Sequence, residues 1–384
     1  MTDFQAIIDI IRARYPEQDG PIPVHAPVMG DIEKAYLVAC VDSSFVSSVG
    51  SYVTCFEQEI AKFCGARHAI ATVNGTAALH MALLLAGVRH GDLVLTQSLT
   101  FVATANAIAH CGAVPCFLDI SRETLGLDPA ELATYLSERC RHEDGRLLDK
   151  QTGRRVAACV PMSTFGHPAD LPRIVALCRE YGLPLIEDAA EALGSWRDSR
   201  HMGTFGLIGV LSFNGNKVIT TGGGGMILTD DDGLATRARH LTTTAKQPHP
   251  WAYFHDEVGY NYRLPNLNAA FGCAQLERLP LLLADKRQLA SEYAVALADL
   301  GVPLVAEPTG CVSNYWLCAM LLSGPAERDA FLAEAVAAGI QCRPTWAPLH
   351  RLPMYTESPR RSLPITEEIA DRLVNLPSTP RMRP

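Results

Sequence analysis

Between residues 68 and 230, short apolar runs alternate with helix-like stretches, and this alternation restricts the chain to a small set of architectures. Strands are expected at 68–74, 93–96, 114–119, 157–162, 184–187, 210–213 and 226–229. Helices are expected at 76–86, 101–111, 129–140 and 170–181. Asp128 is placed to cap the third helix ahead of Pro129, Asp170 to start the fourth, and Gly182 to follow it. Apolar strands separated by helices imply a mainly parallel sheet covered on both faces. Ligands of such sheets bind at the carboxyl ends of the strands, so the chemistry is sought in the loops there.

After residue 231 the pattern changes. A helix at 232–241 leads into a polar and aromatic loop, 242–265, and a long helical stretch, 266–299. The remainder reads as a strand at 316–322 with helices at 327–338 and 366–375. The expected organisation is an N-terminal helical arm (1–25), a large domain (26–265) and a smaller C-terminal α+β domain (266–384). The charged segment 141–155 reads as an exposed hairpin or loop.

Three strand ends carry chemically suggestive residues. At Asn74-Gly75-Thr76 a strand gives way to an apolar helix. A helix's first turn has unpaired N–H groups and partial positive charge, which suits a phosphate; it also suits a plain cap. At Ile186-Glu187-Asp188-Ala189-Ala190-Glu191 an apolar strand runs into carboxylates. Asp188 there could serve as metal ligand, base, counter-ion to a cationic heterocycle, or cap. At Ser212-Phe213-Asn214-Gly215-Asn216-Lys217 a strand ends in a turn and a lysine, without the spacing of a Walker A loop. A desolvated lysine forms a Schiff base; a solvated one does nothing comparable. The run Thr220–Gly225 reads as a tight, Gly-rich turn. Taken together, a phosphate cup, an acid and an amine at three strand ends of one sheet meet the needs of pyridoxal 5′-phosphate (PLP). No metal is implied.

At these residues the chain resembles the sugar aminotransferases of the DegT/DnrJ/EryC1/StrS family. The resemblance runs from about Val24 to Pro377 and rests on the Gly-Thr-Ala-Ala-Leu run at 75–79, Thr100-Phe101-Val102-Ala103-Thr104-Ala105-Asn106, Glu187-Asp188-Ala189-Ala190, Ser212-Phe213 with Lys217, Gly259-Tyr260-Asn261-Tyr262-Arg263, and Leu376-Pro377. It implies the type I aminotransferase fold, with a mainly parallel seven-stranded sheet in the large domain. It also implies that Lys217 holds PLP as a Schiff base, that Asp188 pairs with the pyridine nitrogen, that Gly75, Thr76 and Ser212 bind the phosphate, and that Asn214 is a further cofactor contact. Phe101 would stack on the ring. Asn261 would reach the cofactor phosphate of a neighbouring subunit, making the active unit a homodimer with shared sites. Two positions depart from the family: Glu191 stands where many members have Gln near the cofactor's ring oxygen, and Gly223 stands where many have Glu. Pro23–Pro27, Ser43–Gly50 and Thr242–Lys246 look most like the legionaminic-acid-pathway branch. That branch implies C4 amination of a UDP-linked 4-keto-6-deoxy-N-acetylhexosamine, with L-glutamate as donor, in amino-sugar or nonulosonic acid biosynthesis.

A diphosphate-bearing acceptor needs positive groups, and Lys246, His249 and Arg263 are the candidates in the 242–263 loop; His167 is a candidate for the sugar. Two rival readings are a PLP-dependent sugar dehydratase, which would lack the Schiff-base lysine, and a nucleotide-sugar-binding regulator without turnover. The net charge of −8 with no long basic run argues against nucleic acid or anionic membrane as partner. The apolar residues Ile7, Ile8, Ile10 and Ile11 are interrupted by charge and too short to span a bilayer, so a cytoplasmic location is expected. The twelve cysteines show no close pairs and read as small buried hydrophobes.

Overall fold

The computed structural model describes residues 2–382. Among the described residues there are eleven α-helices: α1 Phe4–Arg14, α2 Asp31–Asp42, α3 Ser51–Cys64, α4 Gly75–Leu85, α5 Ala103–His110, α6 Pro129–Arg139, α7 Leu171–Glu180, α8 Asp232–Thr242, α9 Asn266–Ala298, α10 Pro325–Ala337 and α11 Pro364–Arg372. The main strands are β1 His68–Thr72, β2 Leu93–Gln97, β3 Val114–Leu118, β4 Val156–Val160, β5 Ile186–Asp188, β6 Ile208–Ser212 and β7 Gly225–Thr229. They lie in the order β1-β7-β6-β5 and β4-β2-β3, and single parallel bridges (Cys159 to Leu185, Met162 to Asp188) join β4 to β5 into one seven-stranded layer. Only β7 runs against its neighbours, pairing antiparallel with both β1 and β6.

The strands are buried on both faces, as their near-continuous apolar runs require. Side chains alternate across the layer. Val94, Val210 and Ile227 meet α4, α5 and α8 on one face, while Leu93, Leu95, Leu211 and Leu228 meet the core under α3, α6, α7 and the start of α9 on the other. Asp128 caps α6 by accepting from the Ala130 amide at 2.8 Å, with Pro129 at the first helical position. Asp170 stands at the start of α7 but makes no capping bond; its carboxylate faces Arg173 and Arg197 instead. Segment 141–155 contains a hairpin, Cys140–Glu143 against Arg146–Asp149.

A separate core gathers α1, the second half of α9, α10 and three strands, β8 Cys318–Leu321, β9 Arg343–Pro344 and β10 Leu373–Leu376. Ile7, Ile8 and Ile11 of α1 are buried there against Leu289, Tyr293 and Phe331. The expected helix at 366–375 stops at Arg372. Residues 373–376 form the central strand of this small sheet, paired on one side with β8 and on the other with β9. Filling that central slot with Leu373, Val374 and Leu376 outweighs local helical preference. Two helices had no sequence expectation, α2 and α3; they pack along α9. All twelve cysteines are free thiols and ten are buried. Among the described residues no helix is long and apolar enough to cross a membrane.

Candidate active site

At the carboxyl ends of β1, β4, β5 and β6 a cavity of about 290 Å³ opens. Its lining brings together Gly75, Thr76, Phe101, Asp188, Glu191, Ser212, Asn214 and Lys217, which come from four separate stretches of sequence.

One end of the cavity is the first turn of α4. Asn74 caps it, accepting from the Ala77 amide at 2.8 Å, while its own carbonyl takes the Ala78 amide. The amides of Gly75 and Thr76 have no upstream helical acceptor, so they and the helix dipole point partial positive charge into the cavity. Ser212, at the end of β6, stands directly opposite: a Cβ on Gly75 would sit 3.0 Å from the Ser212 Cβ and 3.2 Å from its Oγ. Glycine at 75 therefore lets a hydroxyl and a helix start share a cradle small enough for a phosphate.

At the other end lies Asp188, 3% exposed. One carboxylate oxygen accepts from Thr104 Oγ at 2.7 Å and the other from the Ala190 amide at 3.2 Å. Burial pushes the Asp188 carboxyl up, against the pull of Thr104, Ala190 and the Lys217 charge. A buried acid held by two neutral donors favours a cationic N–H as its third partner.

Lys217 lines the same cavity from the turn after β6, where its amide donates to the Asn214 carbonyl. Its Nζ is 3.1 Å from Glu191 Oε1 and 3.9 Å from the centre of the Trp316 ring. The other Glu191 oxygen accepts from the Phe165 amide at 2.9 Å. Burial raises the Glu191 carboxyl to about 7, opposed mainly by Lys217. The carboxylate introduced at this position thus faces a donor on each oxygen. Asn314, fully buried, ties the Glu191 backbone to the Trp316 amide through its side chain.

The mouth is aromatic. Phe101, 47% exposed, meets Trp346 edge-on at 6.0 Å, and Trp346 packs on Phe165 at 5.0 Å. Trp316, Trp346, Met162 and Asn216 line the cavity and had no sequence expectation; both tryptophans arrive from the C-terminal third of the chain.

Other nominated residues lie elsewhere. His167 is fully buried, edge-on to Tyr315, and its pKa is lowered to about 4 by desolvation; it does not face the cavity. Its ring is turned into the core against Tyr315, where burial rather than a polar ligand surrounds it. Arg263 is committed to Glu57 at 2.6 Å and to the Ala71 carbonyl at 3.3 Å, because buried Glu57 needs a counter-charge. Lys246 stacks over Tyr253 at 4.0 Å, and His249 accepts from the Ala252 amide at 2.9 Å; both lie on an exposed surface outside the lining. Asn261 is exposed, bridged to Thr243, and also outside it.

The donor set fits PLP: an anion cradle, a buried acid and an amine converge on one cavity large enough for a single heterocycle, and aromatic side chains wall its mouth. Comparison with known proteins agrees. The profile of the DegT/DnrJ/EryC1/StrS aminotransferase family matches residues 27–384. A GDP-perosamine synthase of Escherichia coli O157:H7 is 36% identical over 361 residues, covering 94% of each chain. The putative pyridoxal phosphate-dependent aminotransferase EpsN of Bacillus subtilis is 37% identical, over 93% of this chain and 90% of that protein. Among solved structures, the aminotransferase TlmJ of Streptoalloteichus hindustanus superposes with a TM-score of 0.85 at 31% identity, covering 94% of each chain. The layered sheet is therefore that of the type I aminotransferases, and the chain belongs to the DegT/DnrJ/EryC1/StrS aminotransferase family as a PLP-dependent sugar aminotransferase.

Proposed function

We propose that the protein transfers an amino group from L-glutamate to C4 of a nucleotide-linked 4-keto-6-deoxy sugar, with a UDP-linked N-acetylhexosamine as the acceptor. The observation that carries the transaminase reading is the Lys217 amine, held between Glu191 and Trp316 in the cavity that Asp188 closes. A dehydratase of this fold would lack that lysine. A second acceptor, a GDP-linked 4-keto-6-deoxy sugar, is favoured by the likeness to the GDP-perosamine synthase.

Bound PLP supplies an aldehyde for amine exchange and an electron-poor ring that accepts the electron pair left when a proton departs from carbon. The protein's own residues do the rest. Gly75, Thr76, Ser212 and Asn214 hold the phosphate, with α4's amides offering donors that require no reorganisation. Asp188 would keep a proton on the ring nitrogen, its carboxylate held in place by the Thr104 hydroxyl and the Ala190 amide. Lys217 tethers the cofactor at rest. Its Nζ, when free, would move the proton at the substrate carbon. Glu191 and Trp316 determine where Nζ waits. Phe101 and Trp346 narrow the mouth and limit water.

The reading includes a homodimer with two shared sites. Val38, Val41, Phe45 and Val49 expose an apolar strip along α2 and the loop after it, each 58% exposed or more. Asn261, Lys246 and His249, outside the lining of their own chain, would then serve the partner's cavity and the acceptor's diphosphate. Incubation with UDP- and GDP-linked 4-keto sugars plus L-glutamate, with products identified by mass and NMR, tests the proposal. An amino sugar and stoichiometric 2-oxoglutarate are expected. A deoxy sugar formed without 2-oxoglutarate would overturn it.

A further inference from the structure

Behind the Lys217 loop, away from the cavity, lies a second lysine that the reaction does not use. Lys286, in the middle of α9, is 1% exposed. Its Nζ donates to the Trp316 carbonyl at 3.1 Å and to the Ser378 carbonyl at 2.7 Å, and no carboxylate is hydrogen-bonded to it among the described residues. A buried ammonium without an acid partner is costly, and desolvation lowers the Lys286 pKa to about 7. The neutral amine still offers two N–H groups for the two carbonyls, so the arrangement survives loss of the charge.

The contacts continue to the active site. Trp316, held by its carbonyl from one side, donates its indole Nε1–H to the Asn216 carbonyl at 2.6 Å, one residue before Lys217. The face of the same indole carries the Lys217 Nζ at 3.9 Å. The buried His25 ring is near enough to both Lys286 and Lys217 that burial, with their charges, holds its pKa well below the ordinary histidine value. Ser378 is in turn clamped from two directions: its amide donates to the Val24 carbonyl at 2.7 Å, and its hydroxyl accepts from the Cys318 amide at 2.8 Å.

We infer that Lys286 is a positioning residue: by anchoring Trp316 through its backbone carbonyl, it holds the indole against the Lys217 amine and so ties the tethering lysine to α9 and to the segments around Val24 and Ser378. The inference rests on Lys217 being the tethering amine, but its test does not depend on substrate identity. Removing the anchor frees the indole, uncovers Nζ and takes away its cation–π contact.

The test uses the full-length protein freed of cofactor, pulsed with an acetylating reagent, with each lysine followed by peptide mass spectrometry. Exposed Lys62 serves as internal reference. Lys286→Met is expected to raise Lys217 acetylation relative to Lys62 about fivefold, the equivalent of one cation–π contact. Trp316→Leu is expected to do the same, and the double variant to add nothing further, because both act through one contact. Unchanged Lys217 acetylation in folded Lys286→Met would overturn the inference, as would a double variant showing the product of the two effects. Should Lys286→Met fail to fold, Lys286→Gln is read instead, because its side chain is one bond shorter and cannot hold both carbonyls as the lysine does. A smaller rise at Lys217 is expected there, and no rise would likewise overturn the inference.

Discussion

At the scale of single residues, the site is a problem of buried charge. Glu191 and Asp188 are buried close together, and Lys217 is the cation that offsets both. The folded-state carboxyl of Glu191, at about 7, lies above its ordinary value of 4.5. Between those values the folded protein binds more protons than the unfolded one, so this group's contribution to stability falls as pH rises through that window. Glu191→Gln removes the ionisation. The melting temperature of the cofactor-free Glu191→Gln variant, relative to wild type, is therefore expected to increase from pH 5 to pH 8; a constant difference, read by calorimetry, would contradict the burial argument. Asp188→Asn keeps an acceptor for Thr104 but cannot hold a proton on a ring nitrogen as an ionised acid does. It is expected to lower kcat by about 10²-fold or more while the cofactor still binds, as steady-state rates and absorbance spectra would show.

Legibility followed the chain's own connectivity. Gly75, Asp188, Ser212 and Lys217 sit at or just beyond the carboxyl ends of strands, so the end of an apolar run marked each of them in the sequence. Trp316 and Trp346 reach the same cavity from the last third of the chain, and no local pattern distinguishes them from core aromatics. Arg263 and His167 lay close to informative motifs, but buried neighbours claimed them: Glu57 needed a cation, and Tyr315 an aromatic edge.

At the scale of elements, the start of α4 and the end of β6 work as one device. A Cβ at position 75 would press on Ser212, whose backbone is fixed by its pairing with Gly225 in β7. Gly75→Ala is expected to weaken cofactor binding about tenfold, roughly the loss of one charge-assisted hydrogen bond, with little change in melting temperature; equilibrium titration with PLP and thermal denaturation separate the two. Asn74→Ala removes the cap and is expected to cost about 1 kcal/mol of stability. The seven strands and the helices α4 to α8 followed from apolar runs and their turn residues. The strand β10 did not, because its state is decided by the partners on either side rather than by its four residues.

At the scale of the whole molecule, α9 joins the main sheet's core to the C-terminal core, with Leu279 and Leu282 in the first and Leu289 and Tyr293 in the second. Two tryptophans from the C-terminal part complete a site whose chemistry begins on the main sheet. The proposed homodimer extends the same logic between chains. Lys217→Ala and Asn261→Ala homodimers are each expected to be nearly inactive, whereas mixing and reassociating them should restore activity in heterodimers carrying one intact site. Analytical ultracentrifugation should give twice the mass of one chain. Failure of the mixture to regain activity while dimers reform would place Asn261 outside the shared site.

The most direct measurement is borohydride reduction of the holoenzyme followed by peptide mapping. The visible absorbance band should disappear, and the pyridoxyl mass should appear on the peptide that contains Lys217. A pyridoxyl mass on another lysine, or turnover that persists in Lys217→Ala, would contradict the assignment.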